Sequence, residues 1–316
     1  MRKTFRLLFF LLLAVAAALA AGEHGTLVRG STLYVAPGAT AEKLMQVERG
    51  RDMVVLERTN MDNAPWMKVF VTIVQGENQR RDVTGWLPSK GVVTSNTPNG
   101  DQIIFGEAVD SENQAEQRGG RKGAAQDAMR LYFRVYDFFP NSAIAGEALW
   151  RASDIRWQLE KADLLPRPSS HEMDPDLRTP LEDHWMKEIE KKFPHSKWAE
   201  LAAYDMIDNK LCGDWKGQPR CPEKESEVYE HYAHEHPQSP KAAEAFYNAA
   251  WRQAVLVDMY RISNENEKSA NARKKALSLT QELAGQSTQQ GDWKARALDL
   301  AYKLEQNVPV YGNQAE

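Results

Sequence analysis

The feature that most constrains this chain is a proline followed two residues later by a serine, which occurs three times. The three marks are Phe139-Pro140-Asn141-Ser142, Phe193-Pro194-His195-Ser196 and His236-Pro237-Gln238-Ser239. Similar residue types also follow each proline at fixed distances. The fifth, eighth and tenth residues after the three prolines are Ala145, Ala148 and Trp150, then Ala199, Ala202 and Tyr204, then Ala242, Ala245 and Tyr247. The chain therefore contains an internal repeat.

Each repeat predicts a pair of helices joined at the proline. Apolar residues precede the proline at three- and four-residue spacing, as at Leu131 and Val135, and this spacing is typical of one helix face. Proline ends that helix because it has no amide hydrogen, and the serine is expected to cap the next helix. The alanines allow close packing. Because one pair cannot bury both of its apolar faces, we expect stacked pairs that share a core.

The first twenty residues predict a secretory signal peptide. Basic Arg2, Lys3 and Arg6 precede an apolar run, and Ala18 and Ala20 supply the small residues that a signal peptidase recognises. The apolar run is shorter than the roughly twenty residues of a membrane helix, which argues against a membrane anchor. A signal sequence that is not cleaved and is retained as an anchor is the alternative. We expect 1–20 to be removed, no stable membrane span to remain, and the protein to be periplasmic or secreted by a bacterium.

The charge of the chain argues against a nucleic-acid partner. The formal net charge is −4, and loss of the three basic residues of the signal peptide leaves 37 basic and 44 acidic residues, or −7. Proteins that bind nucleic acids usually present a basic face or stripe. We therefore expect no nucleic acid among the partners of this chain.

The two cysteines predict a disulfide. Cys212 and Cys221 lie nine residues apart in a loop that contains glycine and proline. In an exported protein, two such cysteines usually form a disulfide, and two free thiols are the alternative. A metal site is disfavoured because the two cysteines do not form a close Cys-x-x-Cys pair.

Strand signals replace the helical period between residues 26 and 95. Four runs rich in β-branched and aromatic residues, separated by turn-forming residues, predict short strands at 32–35, 52–57, 66–74 and 84–87. Several short strands in close succession are typical of a small barrel. We therefore expect a small all-β barrel over 26–95.

This region resembles a bacterial SH3-like domain. The residues that carry the resemblance are Leu33-Tyr34-Val35, Gly50 before Met53-Val54-Val55-Leu56, Trp66-Met67-Lys68-Val69, Gly85-Trp86-Leu87 and Val92-Val93. The family usually has an Arg-Ser-Gly-Pro turn after the first of these strands, where this chain has 36–39 as Ala-Pro-Gly-Ala. The resemblance implies a module that binds peptidoglycan, peptides or other envelope proteins. Tyr34, Trp66 and Trp86 would be its ligand platform, and the alternative is that the tryptophans complete the barrel core.

The remainder of the chain predicts a linker, a helical array and a tail. The polar segment 96–120 predicts a flexible or partly helical linker. Helical repeats are expected over 121–308, followed by a tail at 309–316. The predicted helices are 121–139, 142–162, 179–193, 196–211, 223–236, 240–263, 266–285 and 292–306. The predicted fold class is therefore a multidomain α+β protein, in which a small all-β SH3-like barrel precedes an all-α array of helical hairpins, or α-solenoid.

The helical region resembles the tetratricopeptide repeat family, particularly its bacterial envelope members. In those proteins Tyr/Phe-Pro-x-Ser followed by Ala-x-x-Ala is common, and Ala128, Tyr132 and Pro140 fall at the family's spacing. The prolines of the three marks are 54 and then 43 residues apart, longer than the 34-residue unit because of two long loops. The resemblance implies a groove that binds a protein partner. The apolar residues Val255, Leu256, Met259 and Tyr260 are either core or partner surface.

The sequence shows little sign of catalytic chemistry. It has no Gly-rich phosphate loop, nucleophile elbow or His-Glu-x-x-His zinc helix. The best metal candidate is Glu227, His231 and His234, which share one helix face at spacings of four and three. A solvated helix end explains the same residues more simply. The sequence therefore predicts no catalytic residue, no metal ligand and no cofactor.

These observations predict an exported interaction or scaffold protein of the cell envelope. Its helical repeats would bind a protein partner, and its SH3-like module would bind peptidoglycan or a second partner. The alternative is an accessory peptidoglycan hydrolase or a metal-dependent enzyme whose active residues follow no recognisable motif. We expect the protein not to be an enzyme, because both resemblances are to binding modules.

Overall fold

A curled antiparallel sheet precedes the helices in the computed structural model, which describes residues 22–75, 79–285 and 291–311. The chain is an α+β protein of two compact units, Met1–Ile155 and Arg156–Glu316. The signal peptide predicted for 1–20 lies outside the described residues, as does 312–316 of the predicted tail. Among the helices of the described part, none is both long enough and apolar enough to cross a membrane.

The sheet contains seven antiparallel strands within the described residues. Its spatial order is β3-β2-β6-β5-β4-β1-β7. The strands are β1 (Glu23–Leu27), β2 (Ser31–Tyr34), β3 (Lys43–Val47), β4 (Met53–Met61), β5 (Ala64–Gln75), β6 (Gln79–Pro88) and β7 (Val92–Thr94). The turn between β4 and β5 consists of Asp62 and Asn63, both at positive φ, which is the backbone of a tight hairpin turn.

One face of the sheet forms a hydrophobic core. Side chains alternate between the two faces of a strand, so Val69 and Val71 of β5 and Leu87 of β6 point to the same side. They are fully buried and belong to a cluster with Leu27, Leu33, Val47, Met53 and Val55. The four predicted strand runs correspond to β2, β4, β5 and β6. The sequence did not predict β1, β3 and β7, which have only three to five residues each.

The described helices follow the sheet in chain order. They are α1 (Gly100–Glu116), α2 (Ala124–Phe138), α3 (Ala145–Leu164), α4 (His184–Lys192), α5 (Lys197–Asp205), α6 (Arg220–Glu235), α7 (Ala242–Ile262), α8 (Asn266–Gly285) and α9 (Trp293–Glu305). Eight of these correspond to the eight predicted helices, with shorter bounds at most ends. The division between the two units falls inside α3.

One helix, α1, is not among the eight that the sequence predicts. It lies where the sequence predicts a flexible or partly helical linker. It spans seventeen residues of the segment 96–120 and packs on α2 and β7. Ile104 and Ala108 of α1 are fully buried in a cluster with Val93 of β7 and Leu131 of α2. Because α1 joins the sheet and α2 in a shared core, the segment is part of the amino-terminal unit and does not separate two domains.

The Pro-x-Ser marks lie at helix junctions, as predicted. The helices before the marks end at Phe138, Lys192 and Glu235. The six alanines at the fifth and eighth positions after the prolines are all at most 8% exposed. The close helix packing inferred from the small side chains is therefore present at all three marks. A full solenoid of stacked pairs stays a prediction.

The serine of each mark was predicted to be the N-cap of the following helix, and this is the case at one mark of the three. Ser196 accepts a hydrogen bond from the Ala199 amide at 3.2 Å and is the N-cap of α5. At the other marks an extra turn separates the serine from the helix, which begins five residues after the proline. There Ser142 donates to Asp101 at 2.6 Å, and Ser239 pairs with the Tyr232 hydroxyl at 2.6 Å.

A large side chain at Ala202 is expected to overpack its junction. Ala202 of α5 is fully buried, so Ala202→Leu should lower the free energy of unfolding by about 1–3 kcal/mol. The exposed Ala162 of α3 offers a control, because Ala162→Leu adds the same atoms to a helix surface. Thermal unfolding by calorimetry compares the two variants. Equal midpoints would contradict the close packing inferred from the repeat.

Candidate functional site

The structure brings together the three aromatic residues that the sequence proposed as a ligand platform. Tyr34 of β2 lies opposite Trp86 of β6, and Trp86 lies opposite Lys68 of β5. The rings of Tyr34 and Trp66 are 5.6 Å apart and nearly perpendicular. The Lys68 ammonium lies 5.8 Å from the centre of the Trp86 ring. These four side chains occupy one face of the sheet.

Both tryptophans of this group are buried on the sheet face opposite the hydrophobic core. Trp66 is 5% and Trp86 is 9% exposed, whereas their neighbours Met67 and Leu87 point toward the core. The two tryptophans are thus largely covered, and they lie outside the core cluster of Val69, Val71 and Leu87. The accessible part of the group is limited to half-buried Tyr34 and Lys68, which leaves little aromatic surface for a ligand.

The candidate metal residues pair with other side chains. His231 contacts Glu235 at 3.0 Å, and His234 lies 3.7 Å from Glu282 and 3.9 Å from Glu230. Glu227 is exposed on the same helix. Across the described ranges, no three or more His, Cys, Asp or Glu side chains are grouped so that they could hold a metal ion.

Cys212 and Cys221 form a disulfide, which is the pairing that the sequence predicts. Their Cα atoms are 6.0 Å apart. The loop they close packs on the proline-rich loop before α4, where the Gly213 amide donates to the Glu172 carbonyl at 2.9 Å. A Cβ at Gly213 would lie 2.4 Å from the Ser170 carbonyl oxygen, so only glycine allows this approach. The two long interhelical loops therefore stabilise one another.

A buried ion pair anchors the disulfide loop to α6 and α7. Glu225 accepts hydrogen bonds from the Cys212 amide at 2.9 Å, from the Trp215 indole at 3.0 Å and from Arg252 at 2.7 Å. The side chains of Glu225 and Arg252 are 2% and 8% exposed. The Arg252 guanidinium also lies 4.3 Å from the ring of Tyr229. Burial raises the pKa of Tyr229 to about 12, an effect that the nearby Arg252 opposes.

A groove of about 440 Å³ lies beside this anchor, within the carboxy-terminal unit. One wall is α7, the other is α9, and the extended segment after α9 lies along it. The groove is lined by Tyr247, Asn248, Trp251, Arg296, Asp299, Leu300, Lys303, Pro309, Val310 and Tyr311. We refer to these residues as the α7–α9 groove.

Aromatic and cationic side chains dominate the α7–α9 groove. The Arg296 guanidinium lies 4.3 Å from the ring centres of both Tyr247 and Trp293, and those two rings are 5.4 Å apart. Lys303 is paired with Asp299 at 2.6 Å. Stacked aromatic and guanidinium planes give a wide apolar surface that still carries hydrogen-bond donors. Such a surface suits a partner with both apolar side chains and carbonyl groups.

The segment 309–311 of the chain itself forms part of the wall of this groove. Val310 is half-buried and packs in a cluster with Trp215, Trp251 and Val255. Before it, the Val308 amide donates to the Lys303 carbonyl at 2.8 Å, while Tyr311 is 69% exposed. Val310 thus fixes the extended segment against α7 as one side of the α7–α9 groove.

The sequence did not predict this groove. Tyr247 is one of the repeat positions, and Trp293 falls within the predicted helix 292–306. The spacing of Tyr247 and Trp251 by four residues was the one available signal, since it places two aromatic residues on one helix face. The sequence left several apolar residues of the same helix as either core or partner surface. Of these, Val255, Leu256 and Tyr260 are buried in the core.

Comparison with known proteins adds no family. No family model matches the chain, and neither does any curated protein. The resemblances to SH3-like and tetratricopeptide modules therefore stay predictions from the residues.

Proposed function

We propose that this chain is an exported interaction protein of the bacterial cell envelope. In this proposal the carboxy-terminal unit, as a tetratricopeptide-like array, binds an extended segment of a protein partner in the α7–α9 groove. The amino-terminal unit, with its SH3-like module, contacts peptidoglycan or a second partner. The observation that carries the proposal is an open groove of about 440 Å³ lined by aromatic and cationic side chains.

The groove chemistry supports a protein partner. Tyrosine, tryptophan and arginine are the residues that most often dominate binding energy at protein interfaces. All three types line the groove: Tyr247 and Trp251 are half-buried, and Arg296 is exposed. A partner segment that carries a branched apolar residue would pack beside Val310 against Trp251. Its carbonyl groups would accept hydrogen bonds from Arg296 and Lys303.

Site-specific photo-crosslinking in intact cells tests this proposal. Asp299 lines the groove and is exposed, so a photoreactive residue there should form an adduct with an envelope protein. The control position is Gln281 of α8, which is exposed and does not line the groove. The adduct is expected at 299 and not at 281, and mass spectrometry identifies the captured protein. Equal adducts at both positions would contradict a specific groove.

Truncation of a groove aromatic is expected to weaken binding of the identified partner. Tyr247→Ala removes the ring that stacks on Arg296, and we expect an increase in Kd of at least about tenfold. Isothermal titration calorimetry with the purified partner measures this change. Peptidoglycan digestion together with metal analysis tests the enzyme alternative. Wall cleavage with stoichiometric zinc would overturn the proposal that the chain acts by binding.

A further inference from the structure

A second cleft, of about 540 Å³, lies within the amino-terminal unit. The loop between β3 and β4 forms one side and the start of α2 forms the other. The cleft is lined by five basic residues and two acidic ones: Arg49, Arg51, Arg121, Lys122 and Arg130, with Glu48 and Asp127. We refer to it as the cationic cleft. It contrasts with the chain as a whole, whose formal net charge is −4.

The carboxylates in and beside the cationic cleft are shared among several guanidinium groups. Asp127 contacts Arg121 at 2.6 Å and Arg49 at 3.4 Å, and it also pairs with Arg130. Glu48 contacts Arg51 at 3.0 Å and Arg130 at 3.5 Å.

Arg49 has one further carboxylate partner, Glu107, which lies behind the lining. Glu107 also lies 3.8 Å from Arg29. With Arg29 and Glu107 included, six cations and three carboxylates are grouped here, a surplus of three positive charges.

Several of the charged side chains in the cleft are largely buried. The side chain of Arg130 is 19% exposed, and those of Arg49 and Asp127 are 12% and 8% exposed. Burial lowers the pKa of Arg130, and the neighbouring Arg51 lowers it further, while Asp127 and Glu48 act in the opposite direction. Like charges in a cleft with low-dielectric walls concentrate a positive potential, which attracts anions.

We propose that the cationic cleft binds a small molecule carrying a phosphate group. A phosphate monoester has a charge of about −1.5 to −2 at neutral pH, which is opposite in sign to the surplus of positive charge in the cleft. Guanidinium groups bind phosphate oxygens through two parallel hydrogen bonds, and Arg51 and Arg121 lie at the accessible rim. A volume of about 540 Å³ is typical of small-ligand sites, which span roughly 300–1,000 Å³.

Calorimetric titration of the purified full chain with inorganic pyrophosphate tests the proposal. The test variant is Arg121→Ala with Lys122→Ala, at the rim of the cleft. The control is Arg81→Ala with Lys90→Ala, two exposed residues of the same unit outside the cleft, which remove the same charge. We expect saturable binding by the unmodified chain, at least tenfold weaker binding by the test variant, and unchanged binding by the control. All titrations are made at one ionic strength, adjusted with chloride.

Two results would overturn the proposal. One is the absence of saturable heat with pyrophosphate and with orthophosphate, and the other is an equal loss of affinity in the two double variants. If the test variant does not fold, Lys122→Glu replaces it, because Lys122 is exposed at the rim of the cleft. Cosedimentation with phosphatidylglycerol vesicles distinguishes a lipid headgroup from a soluble phosphate, because only the former retains the chain on vesicles.

Discussion

Glu225→Leu is expected to lower the free energy of unfolding of the carboxy-terminal unit by about 3–5 kcal/mol. Loss of Glu225 leaves the Arg252 guanidinium buried without its charge partner. It also leaves the Cys212 amide and the Trp215 indole without their acceptor. An unpaired buried charge costs far more than the ion pair contributes, because the charge is removed from water without compensation. The part of the disulfide loop around Cys212 and Trp215 should therefore loosen its contacts with α7, while the disulfide still links it to Cys221 of α6.

Differential scanning calorimetry measures the loss, and hydrogen exchange locates it. Amides of the segment 212–221 should exchange faster, while those of the β-sheet in the other unit should not change. Glu227→Leu is the matched control, since Glu227 lies two residues further along the same helix and is exposed. A loss of less than about 1 kcal/mol, as is usual for exposed sites, would contradict the assigned role of Glu225.

A double variant separates the unpaired charge from the lost packing. Glu225→Leu combined with Arg252→Leu removes both charges and retains apolar volume. Replacing a buried ion pair by hydrophobic residues is often neutral or stabilising. The double variant should therefore be more stable than Glu225→Leu alone. If it is less stable, the cost arises from the lost contacts of Arg252 with Tyr229 and Asn248 rather than from its unpaired charge.

The helix pairs were predictable because their signals are local. Beyond the first turn, a proline interrupts a helix because it has no amide hydrogen, and the apolar spacing on either side of each mark needs no knowledge of a distant partner. Helix α1 lacked such a signal. Its buried residues form a narrow stripe of Gly100, Ile104, Ala108 and Ser111 within a strongly polar segment. The surface that covers this stripe comes from β7 and α2, which the sequence of α1 does not reveal.

The binding surfaces were less predictable for the same reason. Tyr247 and Trp293 are far apart in sequence, and so are Arg51 and Arg121. Only the packing of α7 on α9, and of the β3–β4 loop on α2, brings these residues together. The aromatic group of the sheet shows the converse case. The sequence identified Tyr34, Trp66 and Trp86 correctly as neighbours, because strand pairing joins them, but it could not establish that the tryptophans are buried.

Gly50→Ala is expected to lower the free energy of unfolding of the amino-terminal unit by about 2–5 kcal/mol. Gly50 has a φ of 74°, in the left-handed region, which costs other residues roughly 1–2 kcal/mol. A Cβ there would also lie 2.6 Å from the Arg130 Cβ and 2.9 Å from the Leu131 nitrogen. Since Leu131 nitrogen is backbone of α2, the helix itself would have to move away from the sheet.

Gly119→Ala separates the steric clash from the backbone strain. Gly119 has a φ of 77°, and a Cβ there would have no atom within 4 Å, so this variant carries the conformational cost alone. Calorimetry of both variants should show the larger loss for Gly50→Ala. The Arg130 side chain of α2 donates a hydrogen bond to the Arg49 carbonyl across this contact. Hydrogen exchange should therefore be faster in 124–138 for Gly50→Ala only. Equal losses in the two variants would mean that α2 does not pack closely on Gly50.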